Sequence, residues 1–251
     1  MLFSGEVAWV TGSSTGIGRA TGLKLAEEGC DVAVHYGSSE DEAREVAEGI
    51  AASGRDALLV RGDVAKAEDV QRMAREIEEH YGRLDILINN AGSMVERAEL
   101  EEMTEEVWDR IMDVNLKSVY LCSQAVLPMM KRQGKGRILN VSSIAARDGG
   151  SVNSLAYAAA KGGVSTMTRT MAKGLAADGI LVNAVAPGRI GTPFHDRFSS
   201  PESREEKARA IPLKREGTPE EVAEAIVFLV APGARYITGE VLEVNGGLLM
   251  N

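Results

Sequence analysis

Tyr157 and Lys161 are separated by Ala158-Ala159-Ala160, and a spacing of four places both side chains on one helical face, Cβ atoms about 5–6 Å apart. The alanines favour helix and keep the surface between the pair small. A free phenol ionises near ~10 and is a poor base at neutral pH. An ammonium one turn away stabilises the phenolate and lowers that value. Reaching about 7 would need roughly 4 kcal/mol, at about 1.36 kcal/mol for each tenfold change. Such a pair could give or take a proton at an oxygen of a bound molecule. Alone, it would more often be an incidental pair on a solvated face.

A second constellation changes that weighing. The run Thr11-Gly12-Ser13-Ser14-Thr15-Gly16-Ile17-Gly18-Arg19 follows an apolar strand pattern and leads into a helical one. Gly12, Gly16 and Gly18 suit a tight turn, close approach of backbone to a pyrophosphate, and packing of helix against strand. The N–H groups and partial positive charge at the helix start, among Ser14, Thr15 and Ile17, would face the phosphates. Strand before and helix after is the context that such a motif needs.

An acid about 20 residues beyond the glycines would hold an adenosine 2′-hydroxyl and favour NAD. That position is Ser38, inside His35-Tyr36-Gly37-Ser38-Ser39, while Glu40 and Asp41 open the next helix. Small hydroxyls, with Tyr36 and Ser38 nearest, tolerate a 2′-phosphate, although no clamping arginine stands out. NADP(H) is the favoured cofactor, with NAD(H) as the alternative.

The elements that must position these groups alternate. Short runs rich in Val, Ile and Leu at 7–10, 32–35, 57–60, 86–88, 138–141, 180–185 and 241–244 read as strands buried on both faces of a parallel sheet. Between them, 17–28, 41–53, 67–81, 104–132, 153–177 and 219–230 read as helices. The pattern predicts one doubly wound α/β domain over residues 1–251, a Rossmann fold. Thr104 with Glu105 and Glu106 weakly marks one helix start, and Thr218-Pro219-Glu220-Glu221 marks another more strongly. Residues 189–212 break the rhythm and read as either a substrate lid or a disordered connection.

Composition excludes several classes. The chain has 28 basic and 37 acidic side chains, a net charge of −9, so a nucleic-acid partner is not expected. Lys131, Arg132, Lys135 and Arg137 form the one notable basic cluster. Cys30 and Cys122 lack metal-ligand spacing and the three histidines are scattered, so no metal site is expected. Inert buried thiols, the lack of a long apolar run and the lack of a secretory pattern predict a cytoplasmic protein without a membrane span.

Taken in order, Thr11-Gly12-x-x-x-Gly16-x-Gly18, Asn89-Asn90-Ala91-Gly92, Asn115, Ser142-Ser143, Tyr157-x-x-x-Lys161 and Pro187-Gly188 resemble the short-chain dehydrogenase/reductase family over essentially the whole chain. The branch most resembled contains 3-oxoacyl-carrier-protein reductases and bacterial glucose dehydrogenases. The resemblance implies Tyr157 as general acid/base, Lys161 holding the nicotinamide ribose and lowering the phenol's pKa, and Ser143 orienting the carbonyl. It implies that Asn115 anchors a water in a proton relay. Asp63 and Val64 would meet the adenine, Asn89, Ala91 and Gly92 the adenosine ribose, and Pro187, Gly188, Ile190 and Thr192 the nicotinamide. The gap from Ser143 to Tyr157 is one residue longer than in many relatives, which leaves open whether Ser142 or Ser143 points inward.

Substrate choice is expected from Met94, Val95, Arg147, residues 151–155, Arg189, Phe194, His195 and Phe198. A lid-surface role suits His195 better than catalysis. The expected partner is a small carbonyl or alcohol, with an acyl-carrier-protein thioester met by Lys131, Arg132 and Lys135 as one candidate. Asp178 stands where relatives often carry a basic residue, which weakens the carrier-protein assignment. A ketone reductase, a sugar or alcohol dehydrogenase, and a non-catalytic nucleotide sensor are the three functions considered. The resemblance also implies a homotetramer, pairing helices 104–132 and 153–177 across one interface and residues 246–250 across another.

Overall fold

In the computed structural model, which describes residues 1–192 and 201–250, seven strands form one parallel sheet in the order β3-β2-β1-β4-β5-β6-β7. They are β1 (Val7–Val10), β2 (Asp31–Tyr36), β3 (Ala57–Arg61), β4 (Ile86–Asn89), β5 (Gly136–Val141), β6 (Ile180–Pro187) and β7 (Val241–Val244). The order reverses between β3 and β4, so β1 is flanked by β2 and β4. Ligands bind outside the carboxyl ends of strands at such a switch point.

Helices cover both faces. They are α1 (Gly16–Glu27), α2 (Glu40–Ala52), α3 (Ala67–Tyr81), α4 (Glu105–Met112), α5 (Ser118–Gln133), α6 (Ala145–Asp148), α7 (Leu155–Leu175), α8 (Pro201–Ala210) and α9 (Pro219–Val230). Ala8 and Val10 pack with Leu25, Ile50 and Ile226 on one side of the sheet. Val7 and Trp9 pack with Met73, Ile77 and Met130 on the other. Alternate residues of a single strand thus enter two apolar layers, which is why the strands read as unbroken apolar runs.

The expected start signals form. Thr104 Oγ1 accepts from the Val107 N–H at 3.3 Å, and Thr218 and Glu221 make a reciprocal capping box at 3.2 and 2.9 Å. One expectation fails: 104–132 is not a single helix. Between α4 and α5, Asp113–Lys117 is a π turn. Asn115 Nδ2 donates to the Ile111 carbonyl at 2.9 Å, and Ser118 Oγ donates to the Val114 carbonyl at 2.7 Å. Side chains thereby compete with the regular backbone ladder, and the turn widens. The 189–212 segment contains α8; Phe194, His195 and Phe198 lie outside the described residues.

Candidate active site

The turn after β1 is held from three sides. Gly12 and Gly16 have φ of 62° and 55°, the left-handed region that favours glycine. A Cβ on Gly18 would lie 2.2 Å from the Gly12 carbonyl oxygen and 2.5 Å from Asn90 Nδ2, so that position admits no side chain. Asn90 Nδ2 donates to the carbonyls of Thr11 and Gly12 at 2.9 and 3.0 Å. The Gly12 N–H donates to His35 Nδ1 at 2.8 Å, and His35 Nε2 lies 3.1 Å from the Gly62 carbonyl. Nδ1 must therefore be the acceptor and Nε2 the protonated nitrogen. Burial lowers the His35 pKa and keeps that ring neutral. No side chain caps the start of α1, so its first N–H groups remain available to an anion.

This turn opens onto a cleft of about 1140 Å³ at the carboxyl ends of the strands. Ser143, Tyr157 and Lys161 line it farther along. The serine ambiguity resolves. Ser142 is buried, donating to the Lys161 carbonyl at 3.1 Å and lying 2.7 Å from Ser165 Oγ. Ser143 is hydrogen-bonded to the Tyr157 hydroxyl, and its Oγ accepts from the Ala145 N–H at 3.1 Å. The loop between them is turned by Gly149 and Gly150, both at positive φ.

Lys161 sits behind this pair. Its Nζ is 5.7 Å from the centre of the Tyr157 ring and donates to the Val141 carbonyl at 2.7 Å. Burial pushes the ammonium down to about 8, while the carbonyl it meets favours the charged form. Burial likewise pushes Tyr157 up to about 12, opposed by the Ser143 hydrogen bond. The lowering expected from Lys161 together with a positively charged nicotinamide would have to act against this burial. The cost of ionising a desolvated phenol dominates here.

The family model described as Enoyl-(Acyl carrier protein) reductase matches residues 12–249. The 3-oxoacyl-[acyl-carrier-protein] reductase FabG of Staphylococcus epidermidis is 43% identical over 245 residues, covering 97% of this chain and 98% of that protein. The chain belongs to the short-chain dehydrogenase/reductase family. Glucose 1-dehydrogenase 2 of Bacillus subtilis is 41% identical over 98% of this chain and 96% of its own length. The crystal structure of acetoin dehydrogenase from Enterobacter cloacae superimposes with a TM-score of 0.88 at 38% identity, covering 97% and 95% of the two chains. The protein is thus an oxidoreductase of CH–OH and C=O groups.

As a short-chain dehydrogenase/reductase, the chain can be compared with its sequence expectations residue by residue. Gly12, Ser14, Thr15, Gly16 and Ile17 line the cleft, as do Ser38, Asp63, Val64, Ala91 and Gly92, and then Pro187, Gly188, Ile190 and Thr192. Thr192 Cγ2 would be 3.4 Å from a Cβ on Gly16, so the β6 end and the glycine turn meet over one spot. Gly18, Tyr36, Asn89 and Asn115 are not among the lining residues. Gly18 serves packing, and Tyr36 belongs to the apolar core with its hydroxyl toward Glu40. Asn89 Nδ2 turns inward to Ser123 and Asn140 at 3.1 and 2.9 Å. The Asn115 amide is committed to Ser93 and Ile111: Nδ2 donates to their carbonyls and Oδ1 accepts from the Ser93 N–H.

Sequence reasoning missed Asn90, His35 and Arg61. Asn90 stood inside a quoted motif, but only the fold shows which of two adjacent asparagines faces the glycine turn. Arg61 ends β3 and lines the cleft beside Gly37, Ser38 and Ser39. It follows the third strand, outside the window searched for a phosphate clamp. The basic cluster is tied down: Lys131 pairs with Asp178 at 2.8 Å, Arg132 with Glu78, and Lys135 with Asp85 at 3.2 Å. Arg137 pairs with Glu6 at 2.5 Å. Among the described residues no group of His, Cys, Asp and Glu could hold a metal, and no helix is long and apolar enough to cross a membrane.

Proposed function

We propose that the protein reduces a carbonyl compound to an alcohol with NADPH, Tyr157 donating the proton. The observation that carries this reading is the Ser143–Tyr157 hydroxyl pair on the cleft wall with buried Lys161 behind it. A phenol pushed up to about 12 rests in its neutral form and holds a proton for an oxygen that gains negative charge. Ser143 orients the carbonyl and supports that charge as it develops. Lys161, its Nζ 5.7 Å from the ring centre, supplies positive charge that stabilises the phenolate left behind. Gly92 leaves room for this: a Cβ there would lie 2.8 Å from Asn115 Oδ1 and 3.4 Å from Lys161 Nζ. With the Asn115 side chain engaged, a relay to solvent would be anchored on the backbone of the π turn, where regular pairing is interrupted.

The residues present fit a nicotinamide dinucleotide. The uncapped start of α1 and the glycine turn suit the pyrophosphate, and the Pro187–Thr192 side suits the nicotinamide. When bound, the cofactor supplies the hydride. Three features support NADP(H) over NAD(H): the hydroxyls of Ser38 and Ser39, the lack of an acid at the end of β2, and Arg61 beside them. Fluorescence titration should show NADPH binding at least about tenfold tighter than NADH, with Arg61→Ala narrowing the gap. Equal affinities in the unaltered protein would contradict the assignment.

The opposite physiological direction, alcohol or sugar oxidation, uses the same residues and is favoured by the glucose 1-dehydrogenase relative. Nothing in the site favours a non-catalytic sensor. The 3-oxoacyl-[acyl-carrier-protein] reductase relatives support a carrier-protein thioester as the alternative substrate, with Lys131, Arg132 and Lys135 about half exposed in their ion pairs. Free buried thiols at Cys30 and Cys122, both pushed up by burial, fit work in the reducing cytoplasm. A homotetramer is supported by exposed apolar side chains at Tyr120, Phe228, Tyr236 and Met250.

A further inference from the structure

The chain carries a net charge of −9, yet among the described residues its cleft is lined by seven lysines and arginines and three aspartates. The charges divide by location. Toward the adenine end, Asp63 pairs with Arg110 at 3.2 Å and Asp69 with Arg72 at 3.1 Å. Toward Ser143 and Tyr157 the balance is different. Arg189 follows Pro187, whose carbonyl accepts from the Ile144 N–H at 3.0 Å, so the end of β6 lies directly against the Ser143 turn. Lys207 reaches the same cleft from α8, and Arg97 reaches it from the segment after β4. Arg97 Nη1 donates to the neutral oxygens of Ser151 and Asn153 at 3.0 and 2.9 Å, just before the helix that carries Tyr157.

Arg189 and Lys207 are both half-buried. Among the described residues neither has an ion-pair partner, and their surroundings offer little neutralisation. Glu216 is held by Arg204 at 3.2 Å, Glu243 by Arg147 at 3.1 Å and Glu205 by Arg209 at 2.7 Å. Among the described residues Asp148 is the carboxylate in this part of the lining, and it accepts from the Gly150 N–H at 2.7 Å. Burial, then Arg189 and Arg97, lower the pKa of Lys207 against Glu206, and burial lowers that of Arg189, with Glu216 and Asp148 opposing it and Arg97 adding to it. Like charges gathered in a partly desolvated pocket cost free energy that an anionic ligand would recover.

We propose that the substrate is a small oxo acid or hydroxy acid whose carboxylate is held by Arg189 and Lys207 while its carbonyl or alcohol oxygen meets Ser143 and Tyr157. This inference rests on the carbonyl-reductase reading and narrows its substrate class. A planar guanidinium suits a carboxylate because it offers two parallel donors. The lysine supplies a mobile second charge.

The test pairs 3-oxobutanoate and 4-oxopentanoate with their methyl esters, comparing kcat/KM with NADPH. At least one acid should exceed its ester by about tenfold or more, and that ratio should fall toward one in the double variant Arg189→Gln/Lys207→Gln. A ratio near one for both pairs in the unaltered enzyme, or a ratio kept by the double variant, overturns the proposal. So does a double variant whose main defect is weaker NADPH binding, since the cations would then serve the cofactor. Calorimetric titration of butanoate into the NADPH-saturated protein gives a readout without turnover. Binding that the double variant loses supports the carboxylate site even if no carbonyl is reduced, which would sink the reductase reading instead. No detectable butanoate binding, together with no acid preference, sinks the inference.

Discussion

Tyr157, Ser143 and Lys161 form a set in which burial and hydrogen bonding set each proton. Lys161 is pushed down to about 8, so its ammonium persists below that pH and is lost as pH rises through it. If Lys161 resupplies the phenol, kcat for carbonyl reduction should hold through neutral pH and decline above about 8. A profile measured under cofactor saturation checks this, and a rate still rising well above that point would contradict it. The Tyr-Lys spacing and the glycine triplet were legible because both depend on neighbours within one turn or one loop. The desolvation of the phenol was not, because burial belongs to the assembled fold. The directions of the Asn89 and Asn115 side chains were not legible for a related reason: a short amide can face either a ligand or the interior, and distant partners decide which. Ser123 and Asn140 draw Asn89 inward, and Ser93 with Ile111 does the same to Asn115.

At the scale of elements, strands and most helix bounds were readable from apolar period and end signals. The 67–81 and 219–230 helices were found where expected, the second fixed by Thr218 and Glu221. The π turn at Asp113–Lys117 was hidden, because its cause is a pair of side chain–backbone bonds and one contact to the distant Ser93. Between the layers, Asn89, Asn140 and Thr168 form a buried chain: Asn140 Oδ1 accepts from Asn89 at 2.9 Å, and Asn140 Nδ2 donates to Thr168 Oγ1 at 2.9 Å. It joins β4 and β5 to α7, the helix that carries Tyr157. Asn140→Ala should leave the Asn89 amide without one of its acceptors and cost about 1–3 kcal/mol in chemical denaturation. An unchanged denaturation midpoint would mean that the chain contributes nothing to stability.

For the whole molecule, alternating strand and helix implied the parallel sheet, and its order placed the glycine turn, Ser143 and Pro187 at one edge. Net charge argued against a nucleic-acid partner but concealed the cationic end of the cleft, since summed charge carries no information on position. The ion pairs of the basic cluster at 131–137 were hidden for the same reason, the acidic partners lying far away in sequence. Tyr120, Phe228, Tyr236 and Met250 are large apolar side chains left exposed on one chain, and the tetramer proposed above would cover such surface. Light scattering at micromolar concentration should therefore return four times the 26.8 kDa chain mass, and a mass of one chain would refute the tetramer.

The account depends most on the hydroxyl at position 157. Tyr157→Phe keeps the ring and its packing but removes the group that gives the proton. NADPH oxidation with a reducible ketone should fall by about 10²–10⁴-fold, while NADPH titration shows that the cofactor still binds. Turnover equal to that of the unaltered protein would contradict the mechanism outright.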